Sequence, residues 1–430
     1  MKKGLIFVVA LLLALPAVSH AGSATSRWDM TLGGYVKFDV VYATQAVGTD
    51  NRTANRESKG NIDVATDSTG NLTWAGGETR LNWAVKGPEA AGAKTSAFVE
   101  GEFRGRSGGE YGLFALRHAY FQMIWPKTTL LFGHTWQAWG MMPAQTILAV
   151  SEEHFNRGYT RVPQIRVTQT LSKNFTGAFA VQAPYETRSN GNLGVDARAN
   201  GLWPDVTMDL SFTSEACGKI RVFPLKIGIG GFYGKDKYLI NESAAATPSY
   251  RDEKLDRYGA ALYWYVPIIP EKKGNKAGAL GFAGHVFAGK GMGTYLPAYT
   301  TGAYNRLSND AVVTSGATTT IADADLAYAQ TQGGWMQGTY YFTDRIFMNA
   351  LYGAQYNTLS GKYLAAQPKN TSAVRRIQNF IVNVMYDVSP AIRFGLEYDY
   401  VTTVYGHTET PDISNKGSFN SVRFGAYYFF

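Results

Sequence analysis

The sequence predicts an all-β protein: a transmembrane antiparallel β-barrel of about sixteen strands, with long external loops and short periplasmic turns. Three observations carry this. Apolar and polar residues alternate with period two in segments of about ten residues along most of the chain. The connections between those segments tend to alternate between long and short. The last segment runs out in mid-strand on an aromatic, Phe430.

The N-terminal residues read as a signal peptide, residues 1–21. Lys2 and Lys3 form a positive head, Leu5 to Val18 an apolar run, and Ser19-His20-Ala21 a small-residue cleavage site before Gly22. That apolar run is short for a bilayer span, and no second long apolar stretch follows. Ser151 ends the run Ile147–Val150, and Pro267 and Pro270 break Tyr263–Ile269. A helical membrane protein is therefore not expected. The remainder, 22–430, reads as one barrel domain, because a closed sheet can be far longer than an ordinary globular domain.

In Thr31–Tyr42, Leu32, Val36, Phe38, Val40 and Tyr42 fall on one face, while Lys37 and Asp39 fall on the other. A helix would mix these sets; a strand separates them. Leu81, Trp83 and Val85 alternate in the same way with Arg80, Asn82 and Lys86, and Val206, Met208, Leu210 and Phe212 with Asp205, Thr207, Asp209 and Ser211. Strands are expected near 30–42, 77–87, 94–104, 112–124, 128–136, 163–171, 175–183, 204–214, 221–234, 254–266, 278–289, 326–342, 346–357, 374–387, 391–404 and 418–430. Long connections cover 43–76, 137–162, 184–203, 235–253, 290–325, 358–373 and 405–417, with 105–111 a short exception. Trp125-Pro126-Lys127, Ser172-Lys173-Asn174, Thr343-Asp344-Arg345 and Ser389-Pro390 supply tight reversals. In the final segment Val422, Phe424, Ala426, Tyr428 and Phe430 share one face.

Composition fits a sheet that meets lipid. Aromatics are 14%, charged residues only 17% and glycines number 47, a mixture unusual for a secreted soluble protein. Trp28, Trp83, Trp264, Tyr386, Tyr398, Tyr400, Tyr427, Tyr428 and Phe430 lie mostly near strand ends, where interfacial girdles form. The formal net charge of +8 falls to +6 without Lys2 and Lys3, and no Lys/Arg run suggests nucleic acid. Cys217 is the single cysteine, so no internal disulfide or haem attachment is available. The histidines lack metal-ligand spacing, Asp323 and Asp325 are only a weak calcium signal, and no cofactor is expected. No Ser/His/Asp spacing assigns an enzymatic reaction.

Leu116-Arg117-His118-Ala119-Tyr120-Phe121, leading to Leu131-Phe132-Gly133-His134, resembles the strand pair before the third long loop of Gram-negative general porins. Gly133-His134-Thr135-Trp136 and Arg161-Val162-Pro163-Gln164-Ile165-Arg166 resemble more specifically the DcaP-like branch, associated with organic-acid uptake. The resemblance implies a location in the outer membrane of a Gram-negative bacterium, a homotrimer, a third loop folded into each pore, and recognition of Phe430 by the barrel-assembly machinery. The acidic Pro-Glu-Phe tip of enterobacterial third loops is absent, so detailed pore architecture does not carry over.

A pore needs a constriction of defined width and charge rather than a nucleophile. The loop 137–162 is the candidate: Trp139, Met141, Met142, Ile147 and Leu148 suit packing against the wall, and Glu152, Glu153, His154 and Arg157 suit a lumenal face. Arg161 follows it. Arg80, Arg166, Arg393 and Arg423 fall at polar strand positions; Arg117 is weaker because Phe121 shares its face. Glu78, Glu100, Glu102, Asp209, Glu397 and Asp399 are the expected inward acids. A ring of guanidiniums favours carboxylates, so the sequence points to a water-filled channel for small hydrophilic solutes and ions with a weak anion preference. A structural or partner-binding barrel, such as the sheath of an electron conduit, stays open as an alternative, with an outer-membrane enzyme behind it.

Overall fold

The computed structural model describes residues 28–45, 54–57, 70–107, 110–139, 144–147, 161–183, 204–241, 250–292, 313–315, 318–320, 330–358, 374–406 and 414–430. The signal peptide expected over 1–21 lies outside them, as do Glu152, Glu153, Arg157, Asp323 and Asp325.

Among the described residues nineteen strands follow one another. The first nine are β1 Asp29–Ala43, β2 Asn71–Ala75, β3 Arg80–Lys86, β4 Lys94–Ser107, β5 Glu110–Ile124, β6 Thr128–Trp136, β7 Arg161–Thr170, β8 Phe175–Gln182 and β9 Asp205–Ile220. Then come β10 Phe223–Asn241, β11 Tyr250–Ile269, β12 Leu280–Lys290 and the short hairpin β13 Val313–Ser315 with β14 Thr318–Thr320. The last are β15 Gln330–Tyr341, β16 Ile346–Thr358, β17 Val374–Asp387, β18 Ile392–Tyr405 and β19 Lys416–Phe429.

All of them except β13 and β14 belong to one antiparallel sheet that closes on itself. The seam is β1 against β19, from Tyr35 opposite Phe429 to Ala43 opposite Ser421. Gly34 and Phe430 finish it, each backbone N–H donating to the other's carbonyl at 3.2 Å. β2 and β3 share one place in the wall, pairing with the two halves of β1, so the barrel has sixteen positions. Between them Gly76-Gly77-Glu78-Thr79 makes a turn, with Thr79 N–H donating to the Gly76 carbonyl at 3.1 Å. The expected long connection 43–76 therefore ends in a strand, and the expected strand at 77–87 begins at Arg80. Of the strand expected at 326–342, Gln330–Tyr341 forms, and 326–329 lie outside the described residues.

Short reversals, Trp125–Lys127, Arg221-Val222, Phe342–Arg345 and Val388–Ala391 among them, gather at one end with the β1–β19 seam terminus. Arg221 takes the left-handed conformation (φ 58°) that lets the β9–β10 reversal close in two residues. The longer connections leave from the other end.

The apolar side of each strand points outward. On β1, Val36 and Phe38 are 53% and 40% exposed, while Lys37 and Asp39 between them are 2% and 1%. A soluble sandwich would bury the first pair and wet the second. Leu32, Trp74, Ile165, Met208, Ile229, Leu262, Met336 and Leu396 continue this exposed apolar belt around the wall. Left to water it would be costly, at roughly 25 cal/mol per Å². In a bilayer that cost disappears, and closure leaves no unpaired edge in the hydrocarbon.

Candidate functional site

Two lumenal features occupy opposite parts of the barrel interior. The first is the chain that leaves β6. Its described residues, 137–139 and 144–147, turn inward and run along the wall. Trp139 is fully buried with Phe232, Ala261, Phe287 and Met292, its indole N–H donating to Gln137 Oε1 at 2.9 Å. Ala144 rests on a cluster built from Tyr263, Ala283, Trp335, Leu351 and Ile381. Ile147 is buried with Ile220, Ala279, Tyr341, Phe347 and Met385.

Polar contacts fix the same segment by its backbone. Gln145 N–H donates to Gln337 Oε1 (2.9 Å), and its carbonyl accepts from Gln337 Nε2 (3.1 Å) and Asn383 Nδ2 (2.9 Å). Ile147 N–H donates to Glu397 Oε2 (2.8 Å); its carbonyl accepts from Lys37 Nζ (2.6 Å) and the Tyr427 hydroxyl (2.8 Å). The charges doing this are themselves paired. Lys37 meets Asp39 at 3.2 Å and also Glu78, which the turn between β2 and β3 delivers into the lumen. Arg423 donates to Glu397 (3.2 Å) and Asp399 (2.8 Å). Each buried charge thus has a partner, as burial requires.

The second feature is a cavity of about 620 Å³ on the β3–β11 side. Arg80, Arg117, Arg166 and Lys226 line it together with two carboxylates, Glu100 and Asp209, and with Phe98, Tyr120, Trp136 and Tyr263 among the aromatics. Arg117 donates to Glu100 (2.8 Å) and lies 2.6 Å from Glu102; Arg80 reaches Glu102 at 3.2 Å. Arg166 donates through Nη1 to the Trp136 carbonyl at 3.3 Å, and its Nε is buried with no hydrogen-bond partner in the structure. Lys226 sits 5.6 Å from the centroid of the Tyr263 ring, whose hydroxyl donates to Asp209 at 2.7 Å.

Strict alternation puts Arg117 and Phe121 on one face, yet Arg117 is buried in the lumen and Phe121 is 51% exposed outside. The register explains it. Glu100 is opposite His118, but Gly101 is opposite Leu116, so Arg117 is an extra residue in a bulge. A bulge shifts the parity of everything beyond it. Arg117 and His118 both turn inward, and His118 Nδ1 lies 2.9 Å from Thr135 Oγ1.

The structure brings Arg80, Arg117 and Arg166 to one cavity. Arg161 joins its edge, its guanidinium 4.5 Å from the centroid of the Trp136 ring. Arg423 stands apart in the carboxylate network under Ile147. Arg393 is bound at the short-turn end by Asp387 (2.5 and 3.1 Å), beside Phe347 and Phe429. Lys226 was not singled out by reading the sequence, although a lone charge between Leu225 and Ile227 is the signal that places it. The backbone role of Ile147 has no sequence signal. Among the described residues, no group of three or more His, Cys, Asp and Glu is arranged to hold a metal ion.

A closed sixteen-position barrel with an outward apolar belt and a polar lumen is the fold seen in outer-membrane porins. Several solved structures share it. The outer membrane channel DcaP of Acinetobacter baumannii matches with a TM-score of 0.64 at 18% identity, over 94% of this chain and 97% of that one. The anion-selective porin from Comamonas acidovorans matches at TM-score 0.53 and 11% identity, over 94% and 99%. OprB of Pseudomonas putida matches at 0.51 and 8%, over 93% and 94%. At such identities the likeness is one of fold. No protein-family model and no curated protein sequence matches the chain.

Proposed function

We propose that the chain is an outer-membrane porin, a water-filled passage for diffusion of small hydrophilic solutes with a weak preference for anions, organic acids among them. The observation that carries the reading is the lumenal cavity where four cations meet two carboxylates. Arg166 and Lys226 are the pair best placed to receive a solute carboxylate. Arg80 and Arg117 already hold Glu100 and Glu102, which is why the preference is weak rather than absolute. In this reading the constriction is the loop after β6, expected over 137–162 but ended by the start of β7 at Arg161, since its described part occupies the lumen and leaves the passage to the β3–β11 side. The neighbours named above include one described as anion-selective, which agrees with the sign.

The same reading gives a homotrimer in the outer membrane, assembled by machinery that recognises the last strand; OmpT of Vibrio cholerae is a similar fold described in a trimer form. The test is electrical. Purified protein added to a planar bilayer should give discrete conductance steps, and under a salt gradient the reversal potential should take the sign of anion flow. Silence, or a clear cation preference, would overturn the proposal.

A further inference from the structure

At the long-loop end, residues 54–57 lie inside the barrel as a strap across β18, β19 and the end of β1. Thr403 and Tyr405, which hold it, share the inward face of β18 with Glu397 and Asp399. Ala54 N–H donates to Thr403 Oγ1 at 3.0 Å, and the Ala54 carbonyl accepts from the Tyr405 hydroxyl at 2.6 Å. Gln45 brackets the next residue. Its Oε1 accepts from Asn55 N–H at 2.8 Å, and its Nε2 donates to the Asn55 carbonyl at 3.3 Å. Glu57 N–H donates to the Lys416 carbonyl at 2.9 Å, and the Glu57 carbonyl accepts from Ser414 N–H at 2.8 Å. Ser418 donates to Glu57 Oε1 at 2.9 Å, and the Arg56 guanidinium lies 4.5 Å from the centroid of the Tyr405 ring.

From Glu397, which holds the loop after β6, to Thr403 is about 20 Å along β18, at roughly 3.3 Å per residue. The strap therefore stands above that loop on the same wall, opposite the cation-lined cavity. The two elements are held in different ways. The loop buries Trp139 and Ile147. In the strap Ala54 is buried, Asn55 and Arg56 are half-buried, and Glu57 is exposed. Releasing it exchanges backbone hydrogen bonds for bonds to water and wets one methyl group, so it unlatches far more readily than the loop.

We propose that residues 54–57 form an outer size filter, a strap that closes part of the mouth to bulky solutes and unlatches without disturbing the wall or the loop below. The inference rests on the porin reading above and adds a second determinant of what enters. Arg56 and Glu57 carry opposite charges, so the strap sorts by bulk, and sorting by sign stays with the cavity. Gly417 marks the fit. It stands opposite Thr403 in the β18–β19 pairing, in a backbone conformation that alanine can adopt, yet a methyl there would run into the Asn55 carbonyl. The strap requires that glycine and the wall does not.

The test uses the full-length barrel in two assays. In detergent, tryptic cleavage after Arg56 reports unlatching, because a latched backbone cannot enter the protease and the rate follows the open population. T403V/Y405F, which removes two hydrogen bonds, should be cut there about thirtyfold faster than the parent. I147D, which frees the loop after β6, should be cut as the parent is. In liposomes, swelling compares a trisaccharide with a monosaccharide. G417A should raise the trisaccharide rate severalfold and change the monosaccharide rate little. The proposal is overturned if T403V/Y405F is cut no faster, or if G417A keeps the parent's ratio of the two swelling rates. It is also overturned if G417A unfolds in denaturant well before the parent, since the strap would then be a staple of the β1–β19 seam. Parent liposomes that admit neither sugar overturn the passage reading itself, a failure that shows before any substitution is made.

Discussion

At the scale of single residues, charge in this barrel is divided between groups already spent on structure and groups still available to a solute. Arg423 belongs to the first kind. Replacing it with alanine leaves Glu397 and Asp399 buried beside each other without their cation, at a cost of about 3–5 kcal/mol. Denaturant unfolding of R423A in detergent should show that loss; a change within 0.5 kcal/mol would mean that the carboxylates are neutral or solvated. Arg166 and Lys226 belong to the second kind. Charge reversal in R166E/K226E should turn the reversal potential toward cations with little effect on unfolding. Retained anion preference would move the selectivity to residues elsewhere in the lumen. His118 and Arg117 show how one inserted residue matters: without the bulge, Arg117 and Tyr120 would lie on opposite faces of β5.

At the scale of elements, the loop after β6 is held by three apolar pockets and by two residues, Gln145 and Ile147, whose backbones are clamped from the wall. None of its described residues, 137–139 and 144–147, takes part in the strand pairing of the barrel, so the loop can be released while the wall stays closed. The variant I147D places a carboxylate in the apolar pocket of Ile220, Ala279, Tyr341, Phe347 and Met385, a burial cost of several kcal/mol. Single-channel recordings should then show larger and noisier steps than the parent. Steps of unchanged size would remove the loop from the narrowest part of the passage. Strand positions were readable element by element: Thr128–Trp136 and Val374–Asp387 end where the alternation and the turn residues end. Asn71–Ala75 has no clear signal because five residues leading into a glycine pair, with only Leu72 and Trp74 on the apolar face, resemble loop. The inward course of residues 144–147 was foreseeable from Trp139 and Ile147 as apolar residues in a polar setting, but the partners that hold their backbone come from strands up to 280 residues distant, and no local pattern encodes them.

At the scale of the whole molecule, period-two alternation fixes which face meets lipid, and connection length fixes which end is which. What it leaves open is how the interior is shared between loop and passage, since both a lumenal wall and a loop dock present inward positions. Orientation has a direct check in Cys217, the single cysteine, which is exposed beside the β9–β10 reversal at the short-turn end. A membrane-impermeant maleimide should leave it unlabelled in intact cells and label it once the outer membrane is breached. Labelling in intact cells would invert the barrel.

The seam between β1 and β19 joins stretches that are almost the full chain apart in sequence. Loop-closure entropy makes such a pairing late and slow to form. Through most of its synthesis and transit, then, the molecule is a ribbon with two sticky margins and a water-hating side, open to pairing with its neighbours. Its survival depends on being kept apart from other copies until the two margins find each other at the membrane, and the tightness of that final zip, rather than the strength of any one stave, sets whether it arrives as a cylinder or as an aggregate.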